Sequence, residues 1–339
     1  MYPNIPTYII LAMILTLQNV IYYLYDNNFI DENRIFSDNI EARQEESLNN
    51  TFLVKFTNDP NDGRVVKQAF NVSEMQRKAL LKDAYLTCLF EKAIVLGEGN
   101  EKCEDVVNNS IDYNKLIYVR KYISGVNFYS FIKSNVIPLK YLTIEYLSNN
   151  NQEKISEIII RKLKLVHIKQ HVDTNLDLNF NLSFPISIPV INISSSFVQQ
   201  FWRQVNTPIK DYIILESAKW GKADGYRSLI HGDFSLKNIL YSSDRIFHFV
   251  DWEFAQYGNP VWDYAWLISD MQNSFPNDEL AKVIDDFETQ ITQFITTELL
   301  KKYVVIAKIR RLSRKASEGI LSEEDLKKVN ELNHQFSKI

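Results

Sequence analysis

The sequence predicts an α+β protein in two parts, a small strand-bearing N-terminal part and a larger, mainly helical C-terminal part that meet near residue 124. Two strand-like runs, Thr51–Phe56 (TFLVKF) and Leu116–Ile123 (LIYVRKYI), lie in the first part. Helical periodicity dominates the second part, almost without interruption beyond Pro260. A chain of 339 residues that is 45% hydrophobic can fill both cores.

At the N-terminus, Tyr8–Tyr25 is uncharged, which nearly suffices for a membrane span. No basic residue precedes Arg34, and the flanks Asp26, Asp31 and Glu32 are acidic, so a helix packed on the fold is expected instead. Thr51–Phe56 reads as a strand closed by the turn cluster Asn58–Gly63. Ser73 is a plausible N-cap for a helix running to Phe90, and Leu116–Ile123 reads as a strand ended by Ser124-Gly125. Pro138 to about Gln170 reads as two helices broken at Asn149–Asn151, and Asp173–Ser196 as an insertion or loop. Phe197–Trp220 is helical, and Gly221–Gly258 is turn-rich with short apolar runs at Ser228–Ile230 and Ile246–Val250. A basic cluster spans Lys308–Lys315 in the C-terminal helices. The expected domains are 1–123, with an extra N-terminal helix, and 124–339.

A formal net charge of −4 argues against a nucleic-acid partner, which calls for a basic surplus. The two cysteines, Cys88 and Cys103, have no CxxC spacing. Neither a disulfide framework nor a zinc site is suggested, and a reducing, cytoplasmic setting is expected.

The chemistry concentrates in His231-Gly232-Asp233-Phe234-Ser235-Leu236-Lys237-Asn238, followed by Asp251 at the end of an apolar run. An aspartate with an asparagine five positions later has the spacing of a kinase catalytic loop, where Asp233 would take the acceptor hydroxyl proton. Asn238 and Asp251 would then hold magnesium. Phosphoryl transfer spreads negative charge over oxygens, so oxygen ligands and one carboxylate aimed at the nucleophile are what it needs.

The segment LIHGDFSLKNIL…FHFVDWEFAQYGNPVWDYAWL resembles the aminoglycoside phosphotransferase and choline kinase superfamily, and within it bacterial choline kinases most. The resemblance implies a protein-kinase-like two-lobed fold, with a small antiparallel-sheet N-lobe and a larger helical C-lobe. It further implies ATP and Mg2+ as cofactors and a small-molecule alcohol as acceptor. By it, His231 is a structural loop residue and Asp263 buttresses the loop. Lys55 becomes the phosphate-pairing lysine, with Glu74 as its partner. Backbone near Arg120 and Tyr122 would meet adenine, and Ser47 and Asn50 would stand in a phosphate loop that here lacks glycine. Phe254, Trp266 and Asp270 would bind a choline-like cation through aromatic faces and a carboxylate. An aminoglycoside, sugar or thiamine-like acceptor stays open on the same fold, with Asp278, Glu279, Asp285, Asp286 and Glu288 as candidate contacts. A non-catalytic, pseudokinase-like binding module is the alternative of another class.

Overall fold

The computed structural model describes residues 14–37, 40–45, 49–69, 74–91, 103, 109–112, 114–134, 146–148, 151–168, 196–220, 228–275 and 280–339. Backbone packing divides the chain into two units, Met1–Gly125 with Ser242–Glu253, and Val126–Tyr241 with Phe254–Ile339. The stretch carrying Asp251 thus belongs to the first unit, although sequence order assigns it to the second.

The first unit begins with two short helices, α1 (Val20–Asp26) and α2 (Glu32–Ser37), followed by strands β1 (Ile40–Glu45), β2 (Asn50–Phe56) and β3 (Asp59–Gln68). Helix α3 (Glu74–Phe90) precedes β4 (Ile111–Asp112) and β5 (Ile117–Lys121). The strands form one antiparallel sheet in the order β1-β2-β3-β5-β4. Thr57 and Asn58 alone make the turn between β2 and β3, and Phe56 pairs with Asp59, so the polar run expected to be a loop is already strand. Alternation along the strands builds two faces. On one, Phe52, Val54, Phe56, Val66, Ile117 and Val119 pack with Leu15, Val20, Tyr23, Leu24 and Ile30 of the N-terminal segment. On the other, Tyr118 packs with Leu80, Ala84 and Cys88 of α3.

The latter half of the uncharged run therefore packs one face on the sheet through Val20, Tyr23 and Leu24, while Leu17, Tyr22 and Tyr25 are exposed. Gln68 and Asn50, paired across β2 and β3, clasp the Leu15 backbone. Gln68 Oε1 accepts its N–H at 2.8 Å and Asn50 Nδ2 donates to its carbonyl at 2.7 Å. Residues 8–13 of the run lie outside the described residues. No helix among the described residues is long and apolar enough to cross a membrane. Against the cysteine expectation, Cys88 and Cys103 form a disulfide, with Cα atoms 5.6 Å apart. Their wide separation in sequence gave no spacing signal for it.

Strand β6 (Gly125–Asn127) lies at the junction, and Asn127 caps α4 (Phe128–Lys133) by accepting the Ser130 N–H. The second unit continues with the antiparallel pair β7 (Tyr146–Ser148) and β8 (Asn151–Glu153), then α5 (Ile155–Ile168), α6 (Ser196–Gln204) and α7 (Thr207–Lys219). Short antiparallel strands, Tyr146–Ser148 and Asn151–Glu153, thus stand where the sequence suggested helices on either side of a break, and residues 149–150 lie outside the described residues. Residues 138–145 and most of Asp173–Ser196 lie outside the described residues.

Strands β9 (Ser228–Ile230) and β10 (Ile239–Ser242) flank the HGD loop, and β11 (Phe247–Phe249) leads to Asp251. After β12 (Gln256–Gly258), which pairs with β9, come helices α8 (Val261–Ser274), α9 (Ala281–Thr292), α10 (Thr297–Ser317) and α11 (Glu323–Ser337). Every residue from Val261 to Met271 is buried, so α8 is a core helix surrounded on all sides.

Candidate active site

The first unit builds its half of the site around Lys67. Strand alternation turns this residue, between the core positions Val66 and Gln68, toward α3. Its Nζ lies 2.7 Å from Asp83 Oδ2 and 2.7 Å from Asp251 Oδ1. Burial opposes the ammonium charge, but Asp251 and Asp83 outweigh it and raise the lysine above its ordinary value.

Helix α3 also holds the segment that carries Asp251. Asp83 Oδ1 accepts the backbone N–H of Trp252 at 2.8 Å, and the Phe90 ring stacks on the Trp252 indole at 5.0 Å. Glu91, just past the helix, accepts the Phe249 N–H at 2.8 Å and pairs with His248 Nδ1 at 2.9 Å. Asp83 and Glu91 stand eight residues apart, two turns along one helix face, and together they grip both sides of Asp251. Asp251 adopts a left-handed backbone with φ of +71°, which aspartate tolerates better than most side chains.

Two further groups surround this pair. Burial and the nearby Asp251 carboxylate push Glu253 up to about 7, while Asn49 donates to its Oε2 at 2.7 Å. Lys82 is only 9% exposed, and burial draws it down to about 8 against the pull of Glu253 and Asp83.

The other nucleotide-site residues expected from sequence have different surroundings. Lys55 Nζ lies over the Tyr122 ring, 4.6 Å from its centroid, on the strand next to the one that carries Lys67. Lys67 therefore takes the buried, carboxylate-paired position foreseen for Lys55. Glu74 opens α3, but its side chain lies outside the described residues, as does Ser47. Asn50 is 3% exposed and its amide is engaged by Leu15 and by Gln44 Nε2 at 2.7 Å, so a structural role replaces phosphate contact. Tyr122 donates its N–H to Gly63, so Tyr122 and, by alternation, Arg120 face β3. Alternation turns the Lys121 backbone toward the opposite edge, and its carbonyl accepts from Arg120 Nη1 at 3.2 Å.

The second unit contributes the HGD loop. Asp263, completely buried in the first turn of α8, accepts the N–H of His231 at 2.8 Å and of Gly232 at 2.9 Å. Its Oδ2 also meets His167 Nε2 at 3.0 Å. Gly232 has a φ of +82°, and a Cβ there would fall 2.2 Å from the Phe254 carbonyl oxygen. Trp262 Nε1 closes the corner on the Gly232 carbonyl at 2.9 Å. These bonds aim the partly exposed Asp233 out of the loop. Asn238, in the short 3-10 turn Leu236–Asn238, donates through Nδ2 to the Asp233 carbonyl at 2.8 Å. That contact fixes the amide and leaves Oδ1 outside the bond. Asp233 and Asn238 are thus together, as are Lys67 and Asp251, each pair within its own unit.

The acceptor residues are engaged by arginines that the sequence reading left in a basic cluster. Trp266 stacks on Trp262 at 5.5 Å, and the Arg311 guanidinium lies 4.1 Å from the Trp266 centroid. Asp270 pairs with Arg311 Nη2 at 3.0 Å, while its Oδ2 accepts the Leu236 N–H at 2.8 Å. Trp266 and Asp270 therefore hold an internal cation and the loop backbone. Phe254 is half-buried and presses its backbone against Gly232. Of the alternative acceptor carboxylates, Asp286 is bound to Lys154 and Ser156, and Asp278 and Glu279 lie outside the described residues.

Residues 196–297 match the phosphotransferase enzyme family, which is less than half of the chain. No curated protein matches the sequence. Among solved structures, the aminoglycoside phosphotransferase APH(4)-Ia is similar with a TM-score of 0.60 and 13% identity, covering 95% of this chain and 99% of its own. A thermostable mutant of it in ternary complex with ADP and hygromycin B has a TM-score of 0.56 at 14% identity, over 94% of this chain and 98% of its own. Choline kinase LicA from Streptococcus pneumoniae gives a TM-score of 0.51 at 13% identity, over 93% of this chain and 99% of its own. An ethanolamine kinase from Plasmodium vivax gives 0.52 at 12% identity, over 96% of this chain and 89% of its own. Residues 196–297 thus carry the pattern of the phosphotransferase enzyme family, and the chain has the protein-kinase-like fold of the aminoglycoside phosphotransferases and the choline and ethanolamine kinases.

Proposed function

We propose that the protein is an ATP- and magnesium-dependent kinase that transfers the γ-phosphoryl group to a hydroxyl of a small molecule. The observation that carries this reading is Lys67, buried and 2.7 Å from both Asp83 and Asp251. A lysine so placed suits nucleotide phosphates, and an adjoining carboxylate suits their cation. In the reaction the acceptor oxygen bonds to the γ-phosphorus, the bond from that phosphorus to the ADP oxygen breaks, and Asp233 takes the hydroxyl proton.

The donor atoms fit magnesium. Asn238 Oδ1 and the Asp251 carboxylate are hard oxygen ligands, and the Asp251 side chain is 31% exposed. Among the described residues no group of three or more His, Cys, Asp or Glu side chains could hold a metal ion. That suits a cation which uses one or two carboxylates plus substrate phosphates. Bound there, the ion would neutralise charge on the phosphate oxygens.

Choline or a similar amino alcohol is the acceptor favoured by sequence resemblance, and one similar structure is a choline kinase. Arg311, however, occupies Trp266 and Asp270, the residues that reading needs. The function proposed here therefore stops at a small-molecule hydroxyl. Incubation with γ-labelled ATP, magnesium and a panel of amino alcohols, sugars, aminoglycosides and hydroxy acids tests it. Transfer to one class is expected. No transfer to any acceptor, with no nucleotide-dependent rise in melting temperature, would overturn it and leave a non-catalytic binding module.

A further inference from the structure

Strand β11 reads Phe247-His248-Phe249, and all three residues are buried. Alternation turns His248 away from its two phenylalanine neighbours. A polar ring enclosed this fully is costly unless its nitrogens have partners. Both have one. Nδ1 lies 2.9 Å from Glu91 Oε2, and Nε2 lies 3.2 Å from Ser242 Oγ. Glu91, Ser242 and His248 are each only 4% exposed.

The two ends of the ring serve different segments. Glu91 follows α3 and uses its other oxygen, Oε1, to accept the Phe249 N–H at 2.8 Å, two residues before Asp251. With one oxygen on a backbone N–H and the other on an imidazole, this carboxylate can turn only by giving up a hydrogen bond. At the opposite end, the Ser242 hydroxyl is also within reach of Asp244 and of the Ile246 carbonyl, 2.9 Å away. The next residue, Ser243, donates its N–H to the Ser124 carbonyl at 3.1 Å. His248 therefore joins the end of α3, the strand leading to Asp251 and the turn tied to Ser124, all inside the first unit. The left-handed backbone of Asp251, with φ of +71°, is one that persists where its surroundings impose it.

We propose that His248 is a positioning residue for Asp251: it locks Glu91 onto the Phe249 N–H and so sets how the Asp251 carboxylate meets a nucleotide-bound divalent cation. The cation comes from the kinase reading, whereas the hold on the backbone stands on the hydrogen bonds alone. An apolar ring would fill the same space and leave the buried Glu91 short of a partner, so packing does not account for a histidine here.

Calorimetry on the full chain with AMP-PNP, in magnesium and in EDTA, tests it. Magnesium should tighten AMP-PNP in the parent. His248→Ala should lose about tenfold or more of that tightening, the usual cost of removing the outer partner of a metal ligand, while affinity in EDTA stays near the parent's. His248→Asn sets an amide nitrogen where Nδ1 stood and should keep the tightening. His248→Gln reaches the Nε2 end instead and should behave like alanine. Should His248→Ala fail to fold, the asparagine and glutamine variants carry the comparison. Tightening intact in the alanine or glutamine variant, equal loss in asparagine and glutamine, or a loss in EDTA as large as that in magnesium would each overturn the proposal. A parent that binds no nucleotide, or binds it and transfers no label from ATP, sinks the kinase reading. Amide exchange then decides His248 by itself: the Phe249 N–H should exchange faster in the alanine and glutamine variants than in the parent or the asparagine variant. Unchanged exchange would overturn the proposal.

Discussion

The backbone N–H of Trp252 donates a 2.8 Å hydrogen bond to the same Asp83 carboxylate that holds Lys67. One helical side chain thereby positions a lysine of the sheet and the backbone that follows Asp251. Lysine and aspartate are set by a single support.

That support predicts a rank order of stability. Lys67→Met leaves two carboxylates facing each other without their cation and should cost about 3–5 kcal/mol. Asp83→Asn keeps an oxygen for the Trp252 N–H and leaves Lys67 with Asp251, so it should cost less. The double variant should recover about 1 kcal/mol or more of the summed loss. Urea denaturation of the four proteins measures this, and strictly additive losses would contradict the shared support.

Asp233→Asn tests the base. It should lower kcat by about 10²-fold to 10⁴-fold. Lys67 and Asp251 should still bind nucleotide, which fluorescence titration reads. Turnover close to the parent's would remove Asp233 from the role of base.

Two glycines separate backbone strain from collision. Gly232 and Gly319 have φ values of +82° and +74°, but only at Gly232 does an added Cβ meet another atom. Gly319→Ala should cost about 1 kcal/mol, the price of the left-handed backbone alone. Gly232→Ala should cost about 3 kcal/mol or more and displace the loop that aims Asp233. Equal melting temperatures for the two variants would refute the close approach to Phe254.

Lys82 predicts a pH dependence. Its folded value of about 8 lies below that of an unfolded lysine, so the unfolded chain binds more protons between about pH 8 and 10.5. Stability should therefore rise with pH across that window. Lys82→Met should be the more stable protein at pH 7, by about 2 kcal/mol, and the gap should close as the pH rises toward 10. A gap that stays constant from pH 7 to 10 would show that the ammonium bears no burial penalty.

Spacing made the HGD loop legible in the sequence as a candidate site, because Asp233, Asn238 and Asp251 stand in a fixed order along one stretch. Lys67 was not legible in the same way. Two successive strands each place a lysine in an apolar run, and with a two-residue turn between them the polar Asp59–Gly63 looks like loop when it is strand. Asp83 and Glu91 were hidden because a carboxylate on a helix ordinarily faces water. Arg311 was hidden in a basic cluster for the same reason. In each case the partner that reveals the residue is distant in sequence: Asp83 meets Trp252, and Arg311 meets Asp270. The paired strands at 146–153 were read as helix because three-residue strands are too short for alternation to declare itself.

The clasp on Leu15 gives the N-terminal segment the character of a tethered ligand. Asn50 and Gln68 hold both hydrogen-bonding groups of its peptide backbone, and the sheet buries its side chain. Its occupancy is sustained by an effective concentration in the millimolar range, of the order that a short tether provides. Severing the chain ahead of β1 would turn this first-order contact into a second-order one. The stability of the small unit would then depend on protein concentration, as it does for a complex of two chains.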